Sequence, residues 1–142
     1  MGSRTVRIWV AGDVPADARN ELSQAGLDML GRVTDLEPLM AGCLASIAPL
    51  RFGAGVKGKV NMAMSHGLPV IGTAVATEGM QLVDGVDVLV AHTPDDFAAA
   101  WQRLAHDESL WLSLSDHALE NVRTHFSATA ARDTLRQAMD ET

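Results

Sequence analysis

The sequence predicts an α/β fold: a parallel, doubly wound sheet with helices on both faces. Two observations carry this. Short apolar runs of β character alternate with runs of helical period along the whole chain. Between one such β-run and the next helix lies a glycine-rich, basic loop, residues 49–59. A strand, a flexible loop and a helix N-terminus in that order make an anion site, because backbone N–H groups and the helix dipole converge there.

The 142 residues predict one domain, 1–142, large enough for its own core. With 47% hydrophobic and 20% charged residues, the chain reads as globular. There is no run of about 18 apolar residues, so no membrane span is expected. No secretory pattern opens the chain. The single cysteine, Cys43, excludes an internal disulfide and fits a reducing, cytoplasmic setting. A net charge of −7 disfavours nucleic acid as a partner. Against that background the cations of the loop stand out.

Residues 6–10 alternate and read as a strand ended by Gly12 and Asp13. Pro15 suits the first turn of a helix that Gly26 stops. Residues 27–30 form a short strand closed by Gly31. Asp35 can cap a short helix with Pro38 in its first turn. A strand over 44–48 feeds the loop, a helix over 60–66 follows, and Gly67 precedes a strand over 68–71. Residues 74–83 read as irregular, Asp84-Gly85 as a turn, and 87–90 as a strand. Thr93 caps a helix with Pro94 at its first position and Asp95 and Asp96 in its first turn, running to about His106. Asp107 opens a longer helix, with Trp111, Leu114, Ala118 and Val122 on one face. Ser127 caps the last helix, whose stripe is Ala131, Leu135 and Met139.

Three motifs compete for the loop. Gly53-Ala54-Gly55-Val56-Lys57-Gly58 satisfies the dinucleotide pattern G-x-G-x-x-G. The acidic ribose ligand of that motif should end the next strand, but Gly72 and Thr73 stand there. A Walker A loop fails at Val60, where Ser or Thr must reach Mg²⁺. The third reading spans more sequence. It takes in Ala48-Pro49-Leu50-Arg51-Phe52-Gly53-Ala54-Gly55-Val56-Lys57-Gly58-Lys59-Val60-Asn61. It continues through Met62-Ala63-Met64-Ser65-His66-Gly67-Leu68-Pro69-Val70-Ile71-Gly72-Thr73 to Thr77-Glu78-Gly79-Met80. These segments resemble the C-terminal, donor-binding domain of group 1 (family 4) retaining glycosyltransferases, which have two Rossmann-like domains in the GT-B arrangement. The resemblance runs from about Val6 to about Met139.

The resemblance implies a nucleotide diphosphate-sugar (UDP- or GDP-sugar) as donor substrate and no tightly bound cofactor. It implies a donor site made of Arg51, Gly53, Gly55, Val56, Lys57, Lys59, Met62 and Thr73. Lys59 is the leading candidate, because it sits where the helix N-terminus points. Glu78 is the catalytic candidate, on the loop that would approach the donor sugar. The family commonly places a Glu at the position of Met62, where it contacts the ribose, and another at the position of Ala54. Neither carboxylate is present. That departure keeps a second reading open: a non-catalytic nucleotide- or phosphate-binding or interaction module of the same fold.

His66, before Gly67, reads as a helix-terminal cap, and His92, His106, His117 and His125 as surface residues. No Cys/His/Asp cluster has metal-ligand spacing, and no Gly-x-Ser-x-Gly elbow occurs. The resemblance also implies that the chain lacks the first β-α unit of the domain and the N-terminal acceptor domain. With the usual central strand missing, the sheet should fall into two half-sheets with unpaired inner edges. The expectation is a fragment that self-associates as a dimer and is inactive by itself.

Overall fold

The computed structural model describes residues 6–53 and 57–141. The chain divides into two compact units, Met1–Pro38 and Leu39–Thr142. Its strands form two sheets, of two and three strands, all paired in parallel.

The first unit is a β-α-β element. Strand β1 (Trp9–Ala11) and strand β2 (Asp28–Gly31) pair in parallel around helix α1 (Ala16–Gln24). The β1 run starts later than residue 6 because the ladder is only as long as β2. Ile8 contributes one carbonyl, which accepts from the Asp28 N–H at 2.9 Å. Arg7 reaches the Asp28 carboxylate at 3.1 Å. Pro15 is the residue before α1 rather than part of its first turn. None of the described residues of this unit is buried. Helix α2 (Glu37–Ala41) begins where the Glu37 N–H donates to the Asp35 carboxylate at 3.1 Å, the expected cap.

The second unit holds the core. Its sheet has the order β3 (Ser46–Ala48), β4 (Val70–Gly72), β5 (Leu89–Val90). Strand period sends alternate side chains to opposite faces. Val70 joins one buried cluster with Val60, Ala63, Met64 and Ala118. Its neighbour Ile71 joins the other, with Leu89, Ala100, Leu104 and Leu114. Helices α3 (Gly58–Ser65), α5 (Pro94–His106) and α6 (Glu108–His125) supply those residues. Apolar side chains therefore cover both faces of β4, which is the doubly wound arrangement. Helix α7 (Ala128–Asp140) buries no residue, and Leu135 and Met139 are 65% and 76% exposed.

Three further differences from the sequence reading each have a local reason. Strand β3 starts at Ser46 rather than 44, and the Leu44 carbonyl accepts from the Trp111 indole N–H at 2.8 Å. Strand β4 starts at Val70 rather than 68. Gly67, at φ +69°, ends α3 with its N–H on the Met64 carbonyl, and the Leu68 N–H returns to the Ala63 carbonyl. Those two bonds are the Schellman pattern, so Leu68 belongs to the helix end. The segment 74–83 is not wholly irregular. Thr73 accepts from the Ala76 N–H at 3.2 Å and nucleates a single turn, α4 (Ala74–Thr77).

At the outer edge of β5 the chain closes on itself. The Asp84 carboxylate accepts from the Val90 N–H at 2.9 Å, and the Gly85 N–H donates to the Val88 carbonyl at 2.7 Å. Among the described residues no helix is long and apolar enough to cross a membrane.

Candidate nucleotide-binding site

The carboxyl ends of β3, β4 and β5 lie on one edge of the sheet, and the loop 49–57 leaves from that edge. This is the edge where open α/β sheets take ligands. Pro49 to Gly53 are exposed. Gly53 has φ +136°, a conformation that a residue with a Cβ resists. Gly55 and Val56, both candidates, lie outside the described residues, as does Ala54.

Helix α3 opens this site. Lys57 is its N-cap residue, in an extended conformation, and provides no side-chain cap. Its carbonyl accepts from the Val60 and Asn61 N–H groups, both at 3.1 Å. The N–H groups of Gly58 and Lys59 meet no acceptor among the described residues. The contrast with the later helices is chemical. Thr73, Thr93, Asp107 and Ser127 each lend a side-chain oxygen to the helix that follows. At α3 the cap position holds a cation instead, and no described side chain caps it, which leaves the first turn open to an anion. Lys57 is half-buried, and a Cβ placed on Gly53 would stand 3.6 Å from its Cε. Lys59 is exposed in the first turn. Met62 follows one turn on, 41% exposed, and its carbonyl accepts from Ser65 Oγ at 2.7 Å and His66 Nδ1 at 2.8 Å. His66 is the C-cap of α3, the role its sequence position implied.

Thr73 pins the loop to the sheet. Its hydroxyl donates to the Leu50 carbonyl while it caps α4. The hydroxyl is thus committed within the protein, and what Thr73 offers a ligand is position. Glu78 is exposed at the end of α4, before Gly79 at φ +74°.

A cleft of about 420 Å³ opens on this edge, lined by Pro49, Arg51, Thr73, His92, Thr93, Pro94 and Phe97. It brings together Arg51 and Thr73 of the expected residues. Lys57, Lys59, Met62 and Glu78 are not part of its lining. His92, read from sequence as a surface residue, is exposed but lines the cleft. Sequence spacing gave no signal for it, because β5 reaches β4 only through long-range pairing. The His92 main chain is fixed. Its N–H and that of Thr93 both donate to one Asp96 carboxylate oxygen at 3.1 Å. The His92 N–H bond comes first among the causes that hold the Asp96 carboxyl below the usual range. The Thr93 N–H and hydroxyl bonds follow.

The family model for glycosyl transferases group 1 matches residues 2–107. Among solved structures, the chain resembles Anabaena Alr3699/HepE in complex with UDP, with a TM-score of 0.82 at 16% identity. The same protein in complex with UDP-glucose matches at 0.81 and 16%. In both, the match covers 96% of this chain and 41% of the other. WaaG, a glycosyltransferase involved in lipopolysaccharide biosynthesis, matches at 0.71 and 17% identity, over 90% of this chain and 36% of its own. This chain therefore spans about two fifths of the length of these structures. No curated protein matches it in sequence. These likenesses establish the fold as that of GT-B glycosyltransferases, and the match over residues 2–107 places the chain in the group 1 glycosyltransferase family.

Proposed function

We propose that this chain is the donor-binding domain of a retaining glycosyltransferase that uses a nucleotide diphosphate-sugar. The observation that carries the reading is the N-terminus of α3, which has no side-chain cap and is flanked by Lys57 and Lys59, with Arg51 on the same loop. A diphosphate there supplies the missing acceptors for the first-turn N–H groups and meets three cations. The same charges stabilise the nucleoside diphosphate as it leaves, an electrostatic role with no proton transfer. Glu78, exposed at the end of α4, would approach the donor sugar. UDP and UDP-glucose occupy the Alr3699/HepE structures, which makes UDP the first probe and GDP the second.

The acceptor would be bound by a further N-terminal domain, so the chain by itself is expected to transfer no sugar. The reading places the activity in cytoplasmic carbohydrate biosynthesis and pairs copies of this chain as a dimer, through sheet edges and the exposed stripe of α7. Light scattering that gives a strict monomer of about 15.1 kDa at high concentration would remove the dimer.

The test of the central claim is calorimetry with UDP and GDP. Lys59→Ala should lose measurable affinity. Unchanged affinity would overturn the assignment. A second reading, a nucleotide- or phosphate-binding or interaction module without catalysis, is favoured by Met62, an exposed thioether where the family resemblance puts a ribose-binding carboxylate. A thermal-shift screen separates the two. Stabilisation by UDP or GDP favours the transferase lineage, stabilisation by NAD alone a dinucleotide module, and no shift an interaction role.

A further inference from the structure

We infer that His92 is a donor-binding residue: it lines the cleft opposite Arg51, the guanidinium bringing charge and the imidazole an N–H donor, and together they hold a phosphate of the nucleoside diphosphate. The inference rests on the donor-binding reading above and adds a residue from the far strand of the sheet. Arg51 comes from the β3 end and His92 from the β5 end, and both line one cleft of about 420 Å³. The lining contains no carboxylate. Another concavity in this unit, about 250 Å³, is lined by Asp84 and Asp96 as well as Arg103. The Asp96 carboxylate lies against the main chain of His92 and Thr93 and is taken up by their N–H groups, so the lining itself offers a ligand the arginine and the histidine, donors suited to an anion.

The other polar groups narrow the choice. The Thr73 hydroxyl already donates to Leu50, and the Thr93 side chain accepts from the Asp96 N–H at 3.1 Å. Side-chain N–H donors for an anion then come from Arg51 and His92. Pro49 and Arg51 also begin the basic loop, so the cleft and the α3 N-terminus open on the same segment. A single phosphate would need one of the two places. A diphosphate carries a phosphate for each, and the one between Arg51 and His92 is the assignment made here. The imidazole needs no rearrangement of its backbone, because the Asp96 carboxylate already fixes the His92 N–H.

Calorimetry of His92→Ala and His92→Lys with UDP and GDP tests this, alongside Lys59→Ala. His92 is exposed, so both variants should keep the parent thermal midpoint. Expected is a loss of about threefold to tenfold for His92→Ala, scaled from an exposed charge-assisted bond. His92→Lys should recover most of it. Unchanged affinity in His92→Ala, with Lys59→Ala still impaired, overturns this inference and leaves the donor-binding reading standing. Equal losses in His92→Ala and His92→Lys show that an N–H donor at this position is not what His92 supplies, and overturn it as well. Failure of the parent chain to bind either nucleotide removes both.

Discussion

The two units use the same β-α-β grammar and reach opposite degrees of burial. In the first, β1 and β2 pair in parallel around α1, with one register shift between Val10 and Ala11, yet no described side chain is buried. In the second, every residue of β4 is buried and Val70 and Ile71 are fully inaccessible. The difference lies in the helices. Helix α1 reads Ala-Asp-Ala-Arg-Asn-Glu-Leu-Ser-Gln, with Leu22 its single large apolar residue. Helices α3, α5 and α6 bring Met64, Leu104 and Leu114 onto the sheet. Backbone pairing is thus specified in both units, whereas burial, the larger source of stability, is concentrated in one. The candidate site stands on the buried unit, which gives the loop and cleft a rigid base.

The sharpest way to test the contrast is a pair of truncations. Ile71→Ala should cost about 2–5 kcal/mol in urea unfolding, because it empties a closed site. Leu22→Ala, half-exposed on α1, should cost under about 1 kcal/mol. Equal costs would mean that the first unit carries a core of its own.

A smaller contrast compares two glycines with positive φ. Gly67, at φ +69°, faces Ser115 Oγ at 3.0 Å and Leu119 Cδ1 at 3.4 Å from a built Cβ. Gly26, at φ +94°, has open space around it. Gly67→Ala should therefore cost about 2 kcal/mol or more, conformational strain plus crowding, and Gly26→Ala about 1 kcal/mol from strain alone. Thermal melts of both variants decide whether α6 is packed as tightly on Gly67 as the distances say.

The smallest expected effect is the pH response of Asp96. Its folded pKa lies below the ordinary value, so the stability it adds is fully present above the unfolded carboxyl pKa. That contribution is lost as pH falls through the lowered folded value. Melts from pH 7 down to pH 3 should fall more steeply for the parent chain than for Asp96→Asn. Parallel curves would show that the capping box contributes nothing that depends on charge.

Much of this was legible from local chemistry. Thr93, Asp107 and Ser127 announced their helices by oxygen-bearing side chains, and each does cap one. The ligand edge was legible because glycine and lysine cluster only once, before α3. The single turn of α4 escaped notice because four residues carry no period, and its existence depends on one hydroxyl, that of Thr73. The extra residues assigned to β3 and β4 were apolar and extended, but their polar backbone groups serve Trp111 and the end of α3. His92 was invisible for a third reason: its place in the cleft that Arg51 also lines follows from strand order, which no local pattern encodes.

The Asp84 carboxylate on the Val90 N–H has a colloidal consequence. Along an edge strand, outward-pointing amides are where a foreign extended segment would dock and extend the sheet. At β5 that amide is already occupied, and the occupant is negatively charged. An incoming strand would have to displace a carboxylate and leave it unsatisfied beside its own backbone carbonyls. The same acid that shapes the turn before β5 therefore acts as a gatekeeper against fibrillar growth from this side of the sheet.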